Sequence, residues 1–121
     1  RGTFVGTVNY LAPEMIHNNS ASMSTDIWSL GCIIFKMLTG NVPFSGTDTY
    51  KVYKKILSRE IDYPKYLSED AVSLIDNLIM INPLERLGNP GQDGGILNLQ
   101  SHPFFKGYDF SNPKSLCLTL E

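Results

Sequence analysis

Between Ile27 and Leu38 nine of twelve side chains are apolar and Lys36 alone is charged. Wound into a helix, these residues place apolar groups on every side. Ser24 offers a capping hydroxyl, Asp26 a negative charge in the first turn, and Gly40 followed by Pro43 a stop. The pattern therefore predicts one helix over Ser24–Gly40 that the rest of the chain wraps all round. Burial of nine such side chains represents on the order of 13–27 kcal/mol of gross driving force, an upper bound against a compact unfolded state. A membrane span needs about twenty apolar residues, so the run suits a core helix and no transmembrane segment is expected.

Weaker periodicities flank this helix. Leu11–Ile16, with Pro13 in its first turn, reads as a short helix broken by His17-Asn18-Asn19-Ser20. Thr47 can cap a helix through about Leu57, with Tyr50, Val52, Tyr53, Ile56 and Leu57 as its apolar face. Ser68 caps another, whose first turn holds Glu69 and Asp70 and whose apolar residues run from Ala71 to Ile81. A short helix ends at His102-Pro103-Phe104-Phe105. No segment alternates with period two, so the expected fold class is mainly α, helices packed around a buried central one. The residues after Phe105 read as a tail.

Length and charge narrow the functional classes. The 121 residues carry a net charge of −2, and the one lysine cluster, Lys51, Lys54 and Lys55, reads as the solvated face of an amphipathic helix. No nucleic-acid partner is expected. The two cysteines, Cys32 and Cys117, lie in apolar surroundings and read as free thiols of a reducing compartment. Asn18-Asn19-Ser20 matches a glycosylation sequon by chance, since no secretory signal accompanies it. Beginning at Arg1 with a turn-rich segment, the chain reads as an excerpt from a longer one. Gly88, Gly91, Gly94 and Gly95 lack the strand and helix that flank a phosphate-cradling loop, and His17, His102 and the cysteines lack metal-ligand spacing. No metal site is expected.

Five motifs then occur in one order. Gly6-Thr7-Val8-Asn9-Tyr10-Leu11-Ala12-Pro13-Glu14 resembles the GTxxYxAPE segment that closes the activation region of protein kinases. Asp26-Ile27-Trp28-Ser29-Leu30-Gly31-Cys32 resembles the DxWxxGC start of the kinase central helix, and Pro43-Phe44 the PPF turn after it. Asn82-Pro83-Leu84-Glu85-Arg86-Leu87-Gly88 resembles the DPxxRxG corner, and His102-Pro103-Phe104-Phe105 the closing HPFF. Within the family the pieces look like the AGC group, and Thr3-Phe4-Val5-Gly6-Thr7, Gly31-Cys32-Ile33-Ile34-Phe35 and Asp62-Tyr63-Pro64 are most similar to the phosphoinositide-dependent protein kinases. Val8, where most of the group has proline, and Asn82, where the family usually has aspartate, depart from the pattern.

The resemblance implies the C-terminal lobe of a Ser/Thr protein kinase, with residues 1–105 a partial kinase domain and 106–121 a tail or linker. It implies that Gly6, Thr7, Val8, Asn9 and Tyr10 form the surface that receives the residue after the substrate Ser/Thr, and that Thr3 is an activation-loop phosphosite. Glu14 and Arg86, each readable alone as a surface charge, are implied to pair; Asp26, readable as a first-turn acid, is implied to hold catalytic-loop amides. ATP and Mg belong to the complete domain, whose reacting groups are expected before Arg1, so this stretch alone is expected to bind neither. The implied partners are protein substrates, other AGC kinases among them, in an intracellular setting. A pseudokinase or helical interaction module would keep the same supporting residues.

Overall fold

The computed structural model describes residues 8–108 and 110. The expectations placed on Thr3, Gly6, Thr7, Cys117 and the tail from residue 111 onward fall outside the described residues.

The long apolar run forms α2, Met23–Thr39, which ends at Gly40 in the left-handed conformation, φ 81°. Only glycine adopts that geometry without a steric penalty, and its N–H closes onto the Lys36 carbonyl at 2.8 Å. The remaining helices are α1 (Pro13–Asn18), α3 (Thr49–Ser58), α4 (Glu69–Leu78) and α5 (Ile96–Gln100). Single 3-10 turns at Val8–Tyr10, Pro83–Glu85 and Pro103–Phe105 join them. No strand occurs among the described residues. The fold is the mainly helical one expected.

The core is built where α4 crosses α2. Leu74, Ile75, Leu78 and Ile79 are fully buried against Trp28, Cys32, Ile34 and Phe35. Gly31 permits the approach, because a Cβ there would stand 2.7 Å from Ile79 Cγ1 and 3.0 Å from Leu78 Cβ. Burial pushes the Cys32 thiol pKa up to about 12, despite the opposing Arg86 charge.

Several boundaries shift from the sequence reading. Ser22, not Ser24, caps α2, and Thr25 reaches back to accept the Ser22 N–H at 3.1 Å. The Ser24 hydroxyl is unavailable as a cap because it accepts from the Asn89 amide inside the core. Asp48 replaces Thr47 as the cap of α3: its carboxylate accepts the Lys51 N–H at 2.9 Å, where the helix dipole favours an anion. His17 and Asn18 lie within α1 rather than breaking it. Tyr50 and Leu57 are exposed, because Val52 and Ile56, one turn apart, form the face that α3 buries. Finally, α2 is not covered on all sides: Ile33 and Met37 are 45% and 50% exposed. Covering every side of so uniformly apolar a helix takes more elements than the described residues bring to it.

Candidate functional site

Arg86 is fully buried, and its side chain meets acceptors from three parts of the chain. Its Nη1 donates to Glu14 Oε2 and to the Ser24 carbonyl, both at 2.7 Å, while Nη2 donates to Glu14 Oε1 at 2.8 Å. Nε donates to the Met80 carbonyl at 2.7 Å, and the Ile81 carbonyl lies 3.4 Å from Nη2. The planar fork thus grips the carboxylate with two parallel bonds and spends its other donors on backbone. A buried cation is tolerable only under such satisfaction.

The anion is held equally well. Thr25 donates its hydroxyl to Glu14 Oε2 at 2.8 Å while accepting the Ser22 N–H, so one side chain serves both the helix cap and the ion pair. Burial acts to raise the Glu14 pKa; bonds from Arg86, the backbone and Thr25, with the Arg86 charge, outweigh it and hold the carboxyl below its usual 4.5. This network fastens α1 to the first turn of α2 and to the turn after α4.

Arg86 also lies over the Trp28 ring, Cζ 5.1 Å from its centroid, and Trp28 stacks on Phe44 at 5.6 Å with 11° between planes. The Phe44 carbonyl accepts the Asn9 side-chain amide at 2.8 Å, and the Tyr10 carbonyl accepts the Ser29 hydroxyl at 3.3 Å. The turn Val8–Tyr10 is thereby seated on α2 and α3. Of the residues expected to receive substrate, Val8, Asn9 and Tyr10 form this half-buried shelf.

Asp26 is exposed on the first turn of α2, and its carboxylate makes no hydrogen bond among the described residues. Asn82, the departure from aspartate, still caps the Pro83–Glu85 turn, since its side-chain oxygen accepts the Leu84 N–H at 3.0 Å. Sequence reasoning missed Thr25, Ser24 and Asn89 as members of the site. Asn89 donates to the Ser24 hydroxyl and, at 2.7 Å, to the Pro83 carbonyl, pinning the motif's turn to α2. No sequence signal marks it, since an asparagine beside Gly88 and Pro90 reads as loop.

Among the described residues no three His, Cys, Asp or Glu side chains converge where an ion could bind. Asp26, Asp48 and Asp93 lie on α2, at the start of α3 and in the turn before α5. None of the three belongs to a cluster of such side chains. No helix among the described residues is long and apolar enough to cross a membrane.

The family profile described as "Protein kinase domain" matches residues 1–105. The chain is 40% identical over 110 residues to a probable serine/threonine-protein kinase pdkA of Dictyostelium discoideum, covering 91% of this chain and 16% of the relative. It is 38% identical over 113 residues to a 3-phosphoinositide-dependent protein kinase 1 of Arabidopsis thaliana, covering 93% and 23%. A cGMP-dependent protein kinase of Drosophila melanogaster, isozyme 2 forms cD5/T2, is 44% identical over 108 residues, covering 88% and 11%. The chain thus spans less than a quarter of the length of these relatives. A profile that matches residues 1–105, most of the chain, makes this chain a member of the protein kinase domain family.

Proposed function

We propose that the protein carrying this chain is an ATP-dependent serine/threonine kinase, transferring the γ-phosphoryl group of MgATP to protein hydroxyls in intracellular signalling. In this reading the chain supplies a docking surface and the support beneath it, and other parts of the protein supply the nucleotide, the metal ions and the base. The observation that carries it is the seating of Val8–Tyr10 by Asn9 and Ser29, directly before the α1 that Arg86 anchors. A segment that must present backbone to a substrate needs such outside support, because a single 3-10 turn has little rigidity of its own.

Residues 6–10 then receive the residue that follows the phosphoacceptor, and Val8 shapes that pocket. Thr3, four positions before Thr7, is the regulatory phosphosite, where a phosphate would add roughly −1.5 to −2 charge for arginines to order. Asp26, free on its exposed turn, faces the catalytic loop. Substrates are proteins, other AGC kinases among them. The chain on its own transfers no phosphate, since catalysis of this class rests on metal-assisted positioning and no three metal-ligating side chains cluster among the described residues.

The test is phosphate transfer by the full-length product to a peptide library with MgATP. Val8→Gly should alter the preference for the residue after the phosphoacceptor while leaving the melting temperature within error. A full-length product that transfers no phosphate, yet folds and captures partners, would replace this reading with that of an interaction module.

A further inference from the structure

The face of α4 turned away from the core carries Glu69, Val72 and Asp76, spaced by three and four so that they share one side. With Leu67, Arg59 and the turn from Met80 to Glu85 it encloses a groove of about 960 Å³. The floor is apolar: Leu67, Val72 and Met80 are half-buried and Ile81 is 42% exposed. The charges on its walls do not balance. Asp76 is paired with Arg59 at 2.7 Å, whereas Glu69 and Glu85 have no ion-pair partner among the described residues.

Complementary chemistry adjoins the groove. On the side of α3 away from Val52 and Ile56, the spacing of Tyr50, Lys54 and Leu57 makes one outward stripe, with Lys51 beside it. Tyr50 is 73% exposed and Leu57 37%. A basic, apolar stripe and an acidic, apolar groove thus stand unmatched on one molecule, and Arg59 joins them, ending α3 and lining the groove. Arg59 holds the left-handed conformation, φ 55°, which a non-glycine residue adopts only against steric resistance from its Cβ. Its bonds to the Ile79 and Asp76 carbonyls and to the Asp76 carboxylate, itself bonded by Tyr63, fix it there. The junction between stripe and groove is therefore rigid.

We propose that this surface is self-complementary: the α3 stripe of one copy lies in the α4 groove of a second, and a two-fold axis repeats the contact in reverse. Lys51 and Lys54 of each copy meet Glu69 and Glu85 of the other, and Tyr50 and Leu57 cover the apolar floor. A two-fold contact requires projection and recess to belong to the same patch, which the continuity through Arg59 supplies. A contact centred on a ten-residue helix about 15 Å long falls at the small end of interface sizes, so the dimer is weak and reversible. Its charges start in water, so salt weakens it as the screening length shortens to about 3 Å at 1 M.

The test is sedimentation velocity on the full-length product over a concentration series at low and high salt. A reversible dimer is expected, weakened about tenfold or more by Lys51→Glu with Lys54→Glu, or by Glu69→Lys with Glu85→Lys, because each pair places like charges across the contact. Mixing the two charge-reversed proteins should restore a heterodimer, since both reciprocal contacts regain opposite charges, and restoration also shows that both variants fold. Tyr50→Ala, at a side chain mostly in water, should weaken the dimer without lowering the melting temperature. A wild type monomeric at roughly 100 μM would overturn the proposal, as would a dimer indifferent to both reversals or a mixture that fails to associate. Monomers that lose binding of some other protein on the Glu69 and Glu85 reversals would overturn it too, assigning the groove to a different partner.

Discussion

Replacing Arg86 by alanine removes the cation but leaves the Glu14 carboxylate with a side chain only 14% exposed. The carbonyls of Ser24 and Met80 lose their donor at the same time. Breaking one side of a buried pair costs about 3–5 kcal/mol, and the residual exposure of Glu14 argues for the lower half of that range, because the carboxylate can turn toward solvent or take up a proton. The vacated volume under the Trp28 ring acts in the opposite direction. Taken together, Arg86→Ala should lower the folding equilibrium constant by between two and four orders of magnitude, a large share of the 5–15 kcal/mol that holds a domain folded. Urea denaturation of the full-length product, followed by Trp28 fluorescence, reads this as a fall in midpoint. Arg86→Lys is expected to fall between, since an ammonium keeps the charge but cannot grip both carboxylate oxygens and two carbonyls at once. An Arg86→Ala midpoint within error of wild type would refute the reasoning, because among the described residues no other cation pairs with Glu14.

The Glu14 carboxyl is held below 4.5 in the folded state, so its contribution is present above pH 4.5 and lost as pH falls through the lower folded value; Glu14→Gln should flatten the acid limb of a stability-against-pH curve. Cys32, buried with its pKa pushed up to about 12, should resist iodoacetamide at pH 8 in the native protein and react once urea unfolds it, as peptide mass mapping would show. Gly31→Ala puts a methyl group 2.7 Å from Ile79 Cγ1 and should cost about 1–3 kcal/mol, with Ile79→Val recovering part of the loss in a double-mutant melt. Thr3→Ala in the full-length product should lower phosphate transfer without altering the melting temperature; unchanged activity would remove Thr3 as a regulatory site.

How far the sequence could be read depended on whether a residue's partner was a side chain or a backbone carbonyl. The helices were visible because Leu74, Ile75 and Leu78 recur at helical spacing and because Gly40, Pro13 and Ser68 mark ends by local chemistry. Two caps were displaced by one or two positions: Asp48 takes the place of Thr47 through a local carboxylate bond, whereas Ser22 and Ser24 offer the same hydroxyl and the distant Asn89 engages the second. The wrapping of α2 was overstated because periodicity reports which sides are apolar and says nothing about how many elements exist to cover them. Arg59 was unreadable for a different reason, since a left-handed arginine ends α3 only by virtue of carbonyls on α4.

The same distinction explains how the shelf and the ion pair come to act as one piece. Glu14 and Arg86 are 72 residues apart in the chain, and the turn holding Asn9 hydrogen-bonds instead to Phe44 and Ser29. Trp28 joins them: one face of its surroundings is the Arg86 guanidinium, another the Phe44 ring, and Phe44 then offers its carbonyl to Asn9. Trp28, Arg86 and Phe44 are all fully buried, so none can move without opening a void or meeting a neighbour. A displaced Arg86 therefore shifts the indole, and a shifted indole moves the ring whose backbone holds the shelf. An unpaired surface salt bridge would contribute little and transmit nothing; burial makes this pair costly to break and also ties its geometry to residues 8–10. If Val8–Tyr10 is the docking segment proposed above, selection for its placement would act on Glu14, Arg86 and Trp28 even though none of the three belongs to it.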